Sequence, residues 1–169
     1  MRGQRLNIFC RKAKKAGALG AKVIPADSVV TANWVRFKCH YGCDGYGACL
    51  TCPPYSPTPE ETAKMIDEFE TAILLHGRQH VNLTRIAAEL EREIFLAGYY
   101  KAISFGSGPC RFCPECDVKG ICQHPALARP SMESAGIDVF QTARNNGFHI
   151  EVVTCEKSAA DYFALVLVE

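Results

Sequence analysis

The chain has 169 residues, enough for one domain that buries its own core without disulfides. Its formal net charge of +1 provides no field to gather nucleic acid or an anionic membrane, so neither is an expected partner. Hydrophobic residues at 48% and charged residues at 22% match an ordinary soluble globular protein.

Leu6 to Leu19 predicts a first helix, with Leu6, Phe9, Cys10, Ala13 and Ala16 on one face and Gly17 and Gly20 loosening its end. Val29 to Lys38 mixes β-branched and aromatic residues and predicts a strand running into Cys39. A first cysteine loop spans Cys39 to Pro57, where Gly42, Gly45 and Gly47 permit the bends that wrapping a metal demands. Thr58-Pro59-Glu60-Glu61 is a helix start: Thr58 caps, Pro59 fits the first turn, and Glu61 completes a capping box. That helix runs to about Glu68, and a strand follows at Thr71 to His76.

Asn82 caps the next helix, striped by Leu83, Ile86, Ala87, Leu90 and Ile94 and ending near Gly98. Tyr99 to Phe105 predicts a strand that delivers the chain through Gly106-Ser107-Gly108-Pro109 to a second cysteine loop. Pro130-Ser131 opens a helix with Met132, Ala135, Val139, Phe140 and Ala143 on one face and Gly147 at its end. Phe148 to Thr154 and Tyr162 to Val168 predict the last strands. The sum is a single α+β domain over residues 1–169, a mixed α/β arrangement with a sheet covered by helices. Both cysteine-rich metal loops are expected at strand ends, where a rigid scaffold holds an irregular segment.

Met1 to Lys22 is basic but lacks an apolar signal-peptide core, and no stretch reaches the length of a membrane span. A cytoplasmic location follows as an expectation. In that reducing compartment closely spaced cysteines are ligands rather than disulfides.

Eight of the ten cysteines fall into two groups. Cys39, Cys43, Cys49 and Cys52 are spaced C-x3-C-x5-C-x2-C and lead directly into Pro53-Pro54. Cys110, Cys113, Cys116 and Cys122 are spaced C-x2-C-x2-C-x5-C. Four thiolates on a loop supply four soft anionic donors, which suits either a tetrahedral zinc or an iron–sulfur cluster. Three cysteines spaced C-x2-C-x2-C with a more distant fourth favour a [4Fe-4S] cluster at the second loop, although structural zinc lobes share that spacing. Cysteine before proline ligates the other cluster in two-cluster ferredoxins, so Cys52 or Cys122 can cross between sites. The first site is therefore open between four local thiolates, crossed ligation, and three thiolates with one iron left for a small ligand.

The run Cys39-His40-Tyr41-Gly42-Cys43 through Cys52-Pro53-Pro54-Tyr55, followed by Pro57-Thr58-Pro59-Glu60, resembles a family of uncharacterised prokaryotic proteins described as predicted metal-binding. A second signature carries the same resemblance: Gly108-Pro109-Cys110-Arg111 with Cys113, Cys116 and Cys122, then Pro125, Ala128 to Glu133 and Gly136 to Val139. The resemblance covers about Val35 to Val153 and implies cysteine-bound metal, anaerobic or archaeal-type metabolism and no established reaction. It also implies that Cys39, Cys43 and Cys52 are the core of the first motif.

Cys10, on an apolar helix face, and Cys155, at a strand end, read as small buried hydrophobes. His40 and His124 stand in or beside the loops, placed to donate a hydrogen bond to a ligand or to replace one. Arg111 and Arg129 flank the second loop, where a guanidinium stabilises a negatively charged cluster. Ser131 and Glu133 read as a helix start, and no nucleophile–base pair for hydrolysis stands out. The expected function is an iron–sulfur protein with two [4Fe-4S] clusters passing electrons to a redox partner protein. The alternatives are a zinc-stabilised binding module and an enzyme using an open-iron cluster.

Overall fold

The computed structural model describes residues 2–155 and 158–169. A four-stranded sheet in the order β1-β2-β4-β3 forms its centre, with β1 at Gly20–Pro25, β2 at Thr71–Gly77, β3 at Ile103–Phe105 and β4 at Tyr162–Leu167. Every pairing is antiparallel, with Gly20 opposite His76, Ala72 opposite Leu167 and Phe105 opposite Leu165. The central strands β2 and β4 are apolar on both faces because both faces are covered.

One face, carrying Ile73, Leu75, Ala164 and Val166, packs on α1 (Arg2–Lys15) and α4 (Leu83–Leu96) through Leu6, Phe9, Ala13, Ile86, Leu90 and Ile94. The other face, carrying Leu74, Phe163, Leu165 and Leu167, packs on Ile66 of α3 (Pro59–Ile66), on Met132 and Ile137, and on α5 (Val139–Asn145). The alternation of β4 thus feeds two cores at once. The chain is a small α+β domain with a helix-covered sheet, as expected.

The two strongest helix signals are realised. Thr58 Oγ1 accepts from the Glu61 N–H at 3.2 Å while the Glu61 carboxylate accepts from the Thr58 N–H at 2.8 Å, closing the capping box. Asn82 caps α4 by accepting from the Arg85 N–H at 3.0 Å.

Four expectations need correction. Val29 to Lys38 is not a strand: Thr31 makes a single bridge to Ile137, and α2 then runs Asn33–Gly42. Its aromatic residues Trp34, Phe37 and Tyr41 recur at helical spacing on the exposed side, while Val35 is buried. The first cysteine group therefore starts inside a helix, not at a strand end. Gly20–Pro25, which had no strand assigned, forms edge strand β1, with Gly17 at φ 114° ending the approach from α1. The segment after Pro130 is broken into a 3-10 turn at Glu133–Ala135 and α5, because Gly136 at φ 79° interrupts it and Asp138 recaps the chain by accepting from the Gln141 N–H. Phe148 to Thr154 joins no strand; Phe148 instead sets its ring edge-on to Phe163 at 5.4 Å.

Two contacts place the irregular segments. Gly106 donates to the Pro130 carbonyl at 2.7 Å and accepts from the Met132 N–H at 3.1 Å, so residues 107–130 leave and return at one neck. Gly106 has to be glycine there, since any Cβ lies within 2.7 Å of the Thr84 methyl. The neck sets the second cysteine loop beside the Glu133–Ala135 turn, and α2 packs on that same turn.

Candidate metal centre

Val35 and Cys39 are spaced four apart, so α2 aims its buried side and Cys39 toward the Glu133–Ala135 turn, and Cys43 follows as the extended residue that ends the helix. Arg36 holds this docking. Its Nη1 donates to the carbonyls of Pro57 at 2.8 Å and Ser134 at 2.9 Å and to Ser56 Oγ at 3.1 Å. Ser56 Oγ donates to the Ser134 carbonyl at 2.6 Å, and Ser134 Oγ lies 3.0 Å from the Thr51 carbonyl. The helix carrying Cys39, the loop carrying Cys52 and the turn carrying Glu133 are thus tied by backbone-directed bonds that the sequence did not announce.

The thiols divide between two adjoining clefts. The smaller, about 130 Å³, is lined by Cys39, Cys43 and Cys52 together with Pro109, Ser131 and Glu133. The larger, about 290 Å³, is lined by Cys110, Cys113, Cys116 and Cys122, and also by Cys49. Cys49 sits at the partition: its thiol is 3.8 Å from the Cys110 carbonyl, and its own carbonyl accepts from the Cys52 N–H at 2.9 Å. The eight expected residues are brought together three and five, rather than four and four.

The electrostatics couple the two groups through Cys49 and Cys52. Burial, and then Cys49, Cys43 and Cys39 in turn, push the Cys52 thiol up to about 11. Burial, Cys43 and Glu133 raise Cys39, with Arg36 opposing them. Cys49 is raised by burial and then by Cys116 and Cys110 of the second group, while a thiol hydrogen bond with Cys52 of the first group lowers it. Cys113 is raised by desolvation and then by Cys116, Cys110 and Cys122. Neighbouring thiolates destabilise one another, and a cation between them reverses that sign.

Glu133 was read as part of a helix start. Its backbone carbonyl lies 4.0 Å from the Cys39 thiol, and burial raises its carboxyl above the usual range. The residue keeps some surface, but its carboxylate Oε2 is sealed from solvent and has no hydrogen-bond partner. Arg129 does not face the thiols. Its Nε and Nη2 donate to the two oxygens of Glu91 at 2.9 and 2.7 Å, bracing the end of the second loop on α4.

His40 is exposed and stacks with Tyr41 and Tyr46, while His124 is exposed at the rim of the larger cleft beside Phe112. Cys10 is buried in the core as expected, but Cys155 is exposed. Arg36 was recognisable only from its place one residue after Val35 on a helix that the sequence did not reveal.

A donor set of thiols suits zinc or iron–sulfur chemistry and excludes the hard oxygen-seeking cations from the three- and five-cysteine walls. Among the described residues no three His, Cys, Asp or Glu side chains close on a single ion-sized point. The thiols line clefts instead. A single zinc holds its sulfurs at about 2.3 Å and so draws them into one knot, whereas a cubane spreads them around several irons. The residues present fit either group in chemistry. Among the described residues, no helix is long and apolar enough to cross a membrane.

A family model described as predicted metal-binding protein (DUF2284) matches residues 22–168, and the chain belongs to that family. The search of curated proteins and the search of solved structures each find no match.

Proposed function

We propose that this member of a predicted metal-binding family is an iron–sulfur protein carrying two clusters, most simply of the [4Fe-4S] type, and serving as an electron carrier or redox accessory to a partner protein. The observation that supports this is the pair of thiol-lined clefts sharing one wall, with Cys49 and Cys52 on a single hydrogen-bonded turn between them. Cys39, Cys43 and Cys52 hold the first group, and Cys110, Cys113, Cys116 and Cys122 hold the second. Bound clusters supply one-electron chemistry.

The chain's own residues set the conditions for it. Cys52 is buried while Cys43 is exposed in the first group, and the second loop holds its four thiols half-buried, near enough to the surface for a partner to dock. Such asymmetry sets two different potentials, because solvent exposure and hydrogen bonding to sulfur tune them. Arg36 offsets negative charge at Cys39.

Anaerobic preparation of the full chain tests the reading. A brown protein with iron and acid-labile sulfide in equal amounts is expected, and a colourless protein with stoichiometric zinc refutes it. One observation keeps the zinc alternative in view: residues 107–130 hold only a few turn hydrogen bonds, and a structural zinc would order them equally well. In that case the protein is a zinc-stabilised binding module, and chelation removes order without removing any redox signal.

A further inference from the structure

We infer that Glu133 is the fourth ligand of the first site, a carboxylate closing a cluster otherwise held by Cys39, Cys43 and Cys52. This rests on the cluster reading above and extends it to a residue outside both cysteine groups. Three observations carry it. The smaller cleft is lined by only three thiols, because Cys49 lies on the wall of the other. A cubane bound by three protein sulfurs has one iron in need of a donor. Glu133 lines that same cleft, and its Oε2 is the one carboxylate oxygen among the described residues that is buried without a hydrogen-bond partner.

A buried carboxylate oxygen left unpaired is costly, and native structures resolve such atoms with a partner, an ordered water or a metal. The Ser131 side chain and the residue's own N–H stabilise the carboxyl in part against burial, and Oε2 is still left without a partner. Arg36, which reaches the turn, donates to Ser56, Pro57 and Ser134. Arg129 is committed to Glu91. The 3-10 turn at Glu133–Ala135 is locked by Ser134 N–H donating to Ser131 Oγ at 3.0 Å and by Gly136 N–H donating to the Glu133 carbonyl at 2.9 Å, so the backbone that carries the carboxylate is fixed.

Oxygen is a harder donor than sulfur, and an iron held by one carboxylate is the exchangeable member of the cluster. The first site then accepts a small exogenous donor, such as a thiolate or cyanide, at that one iron. The second site, with sulfur to spare, does not. The protein would hold one closed cluster and one open to a ligand, side by side.

The test uses the anaerobically prepared full chain enriched in iron-57, with Glu133→Gln, Glu133→Cys and wild type compared by iron and sulfide analysis, Mössbauer spectroscopy and cyanide titration. In wild type about one-eighth of the iron should show an oxygen-ligated subsite that shifts on adding cyanide. Glu133→Gln should lose that subsite and shed the corresponding iron on mild oxidation. Glu133→Cys should convert it to the sulfur-ligated form, lower the potential of one cluster and abolish the cyanide response. The second cluster's spectrum reports that each variant is folded. Sulfide-containing protein whose spectra and cyanide response are the same in wild type and Glu133→Gln overturns this inference alone. Protein without acid-labile sulfide overturns it together with the cluster reading.

Discussion

Cys49 and Cys52 are separated by two residues, and the resemblance already places only Cys52 in the core of the first motif. Cys52 lines the cleft of Cys39 and Cys43, whereas Cys49 lines the cleft of Cys110 to Cys122. A chain with two four-iron clusters carries about eight irons. Cys52→Ala leaves two thiols in the first cleft, too few to hold a cluster, so iron and sulfide should fall by about half. Cys49→Ala leaves three thiols in the first cleft and four in the second, so iron should stay near eight. Either substitution removes only one sulfur atom from a partly buried wall, and circular dichroism should show the same sheet and helix content in both. The assay is iron and sulfide per chain after anaerobic preparation, with exposed Cys155→Ala as a control that changes nothing. Loss of half the iron from Cys49→Ala would refute the three-and-five grouping and restore four local thiolates at the first site.

Three further substitutions or conditions probe the scaffold. Arg36→Ala removes charge-assisted bonds to three backbone-linked acceptors and should cost about 3 kcal/mol in urea unfolding; Arg36→Lys, lacking the fork, should recover little of it. Gly136→Ala forces a side chain onto a φ of 79° and sets its Cβ 2.9 Å from the Pro59 Cα, so a loss of about 2–4 kcal/mol is expected, and a loss under 1 kcal/mol would contradict the close packing of α3 on that turn. The Cys52 thiol ionises at about 11 in the metal-free fold against 9.0 for an ordinary thiol. The unfolded chain therefore releases that proton first, so metal-free stability should be unchanged below pH 9 and fall as pH climbs from there toward 11. Cys52→Ser should flatten that fall; an equally steep one in the variant would assign it to other groups.

Much of the fold was legible where one residue's chemistry decides the local structure. The Thr58 capping box and the Asn82 cap were readable because each is a local reciprocal bond fixed by spacing. The strands at Thr71 and Tyr162 were readable because an apolar run buried on both faces has few alternatives. Failures came where composition and position disagreed. Val29 to Lys38 has the residues of a strand but the spacing of a helix, and in α2 the spacing prevails since no neighbouring strand offers a ladder. Gly20–Pro25 became a strand because β2 offered it an edge, a tertiary fact.

The eight cysteines stood out in two groups, and the resemblance set Cys39, Cys43 and Cys52 apart; the contact of Cys49 with Cys110 was not legible. Cys49 turns away from Cys39 because the neck at Gly106 and Pro130 brings Cys110 against it, from 61 residues further along the chain. Glu133 gave no local signal at all: its significance comes from the turn that Arg36 and Ser134 tie to the cysteine helix.

The second loop shows most directly what a metal contributes. Residues 110–122 contain no helix or strand, and a hydrogen bond from the Gly120 N–H to the Asp117 carbonyl at 3.3 Å is one of few that order them. Fixing a backbone residue costs about 1 kcal/mol or more, so this stretch needs a compensating interaction on the order of 10 kcal/mol. Its apolar content cannot supply that, because Ile121 is 84% exposed and Phe112 stacks under Arg85 at the rim. A four-thiolate metal site releases about 10–16 kcal/mol, the right order. The loop touches α4 at its rim, where Phe112 lies under Arg85 and Arg129 pairs with Glu91, but the two cores on either face of the sheet are built from other residues. Chelation should therefore leave sheet and helix signals by circular dichroism nearly unchanged while exposing residues 110–122 to rapid proteolysis. Cooperative collapse of the whole domain on chelation would show instead that metal and core fold as one unit.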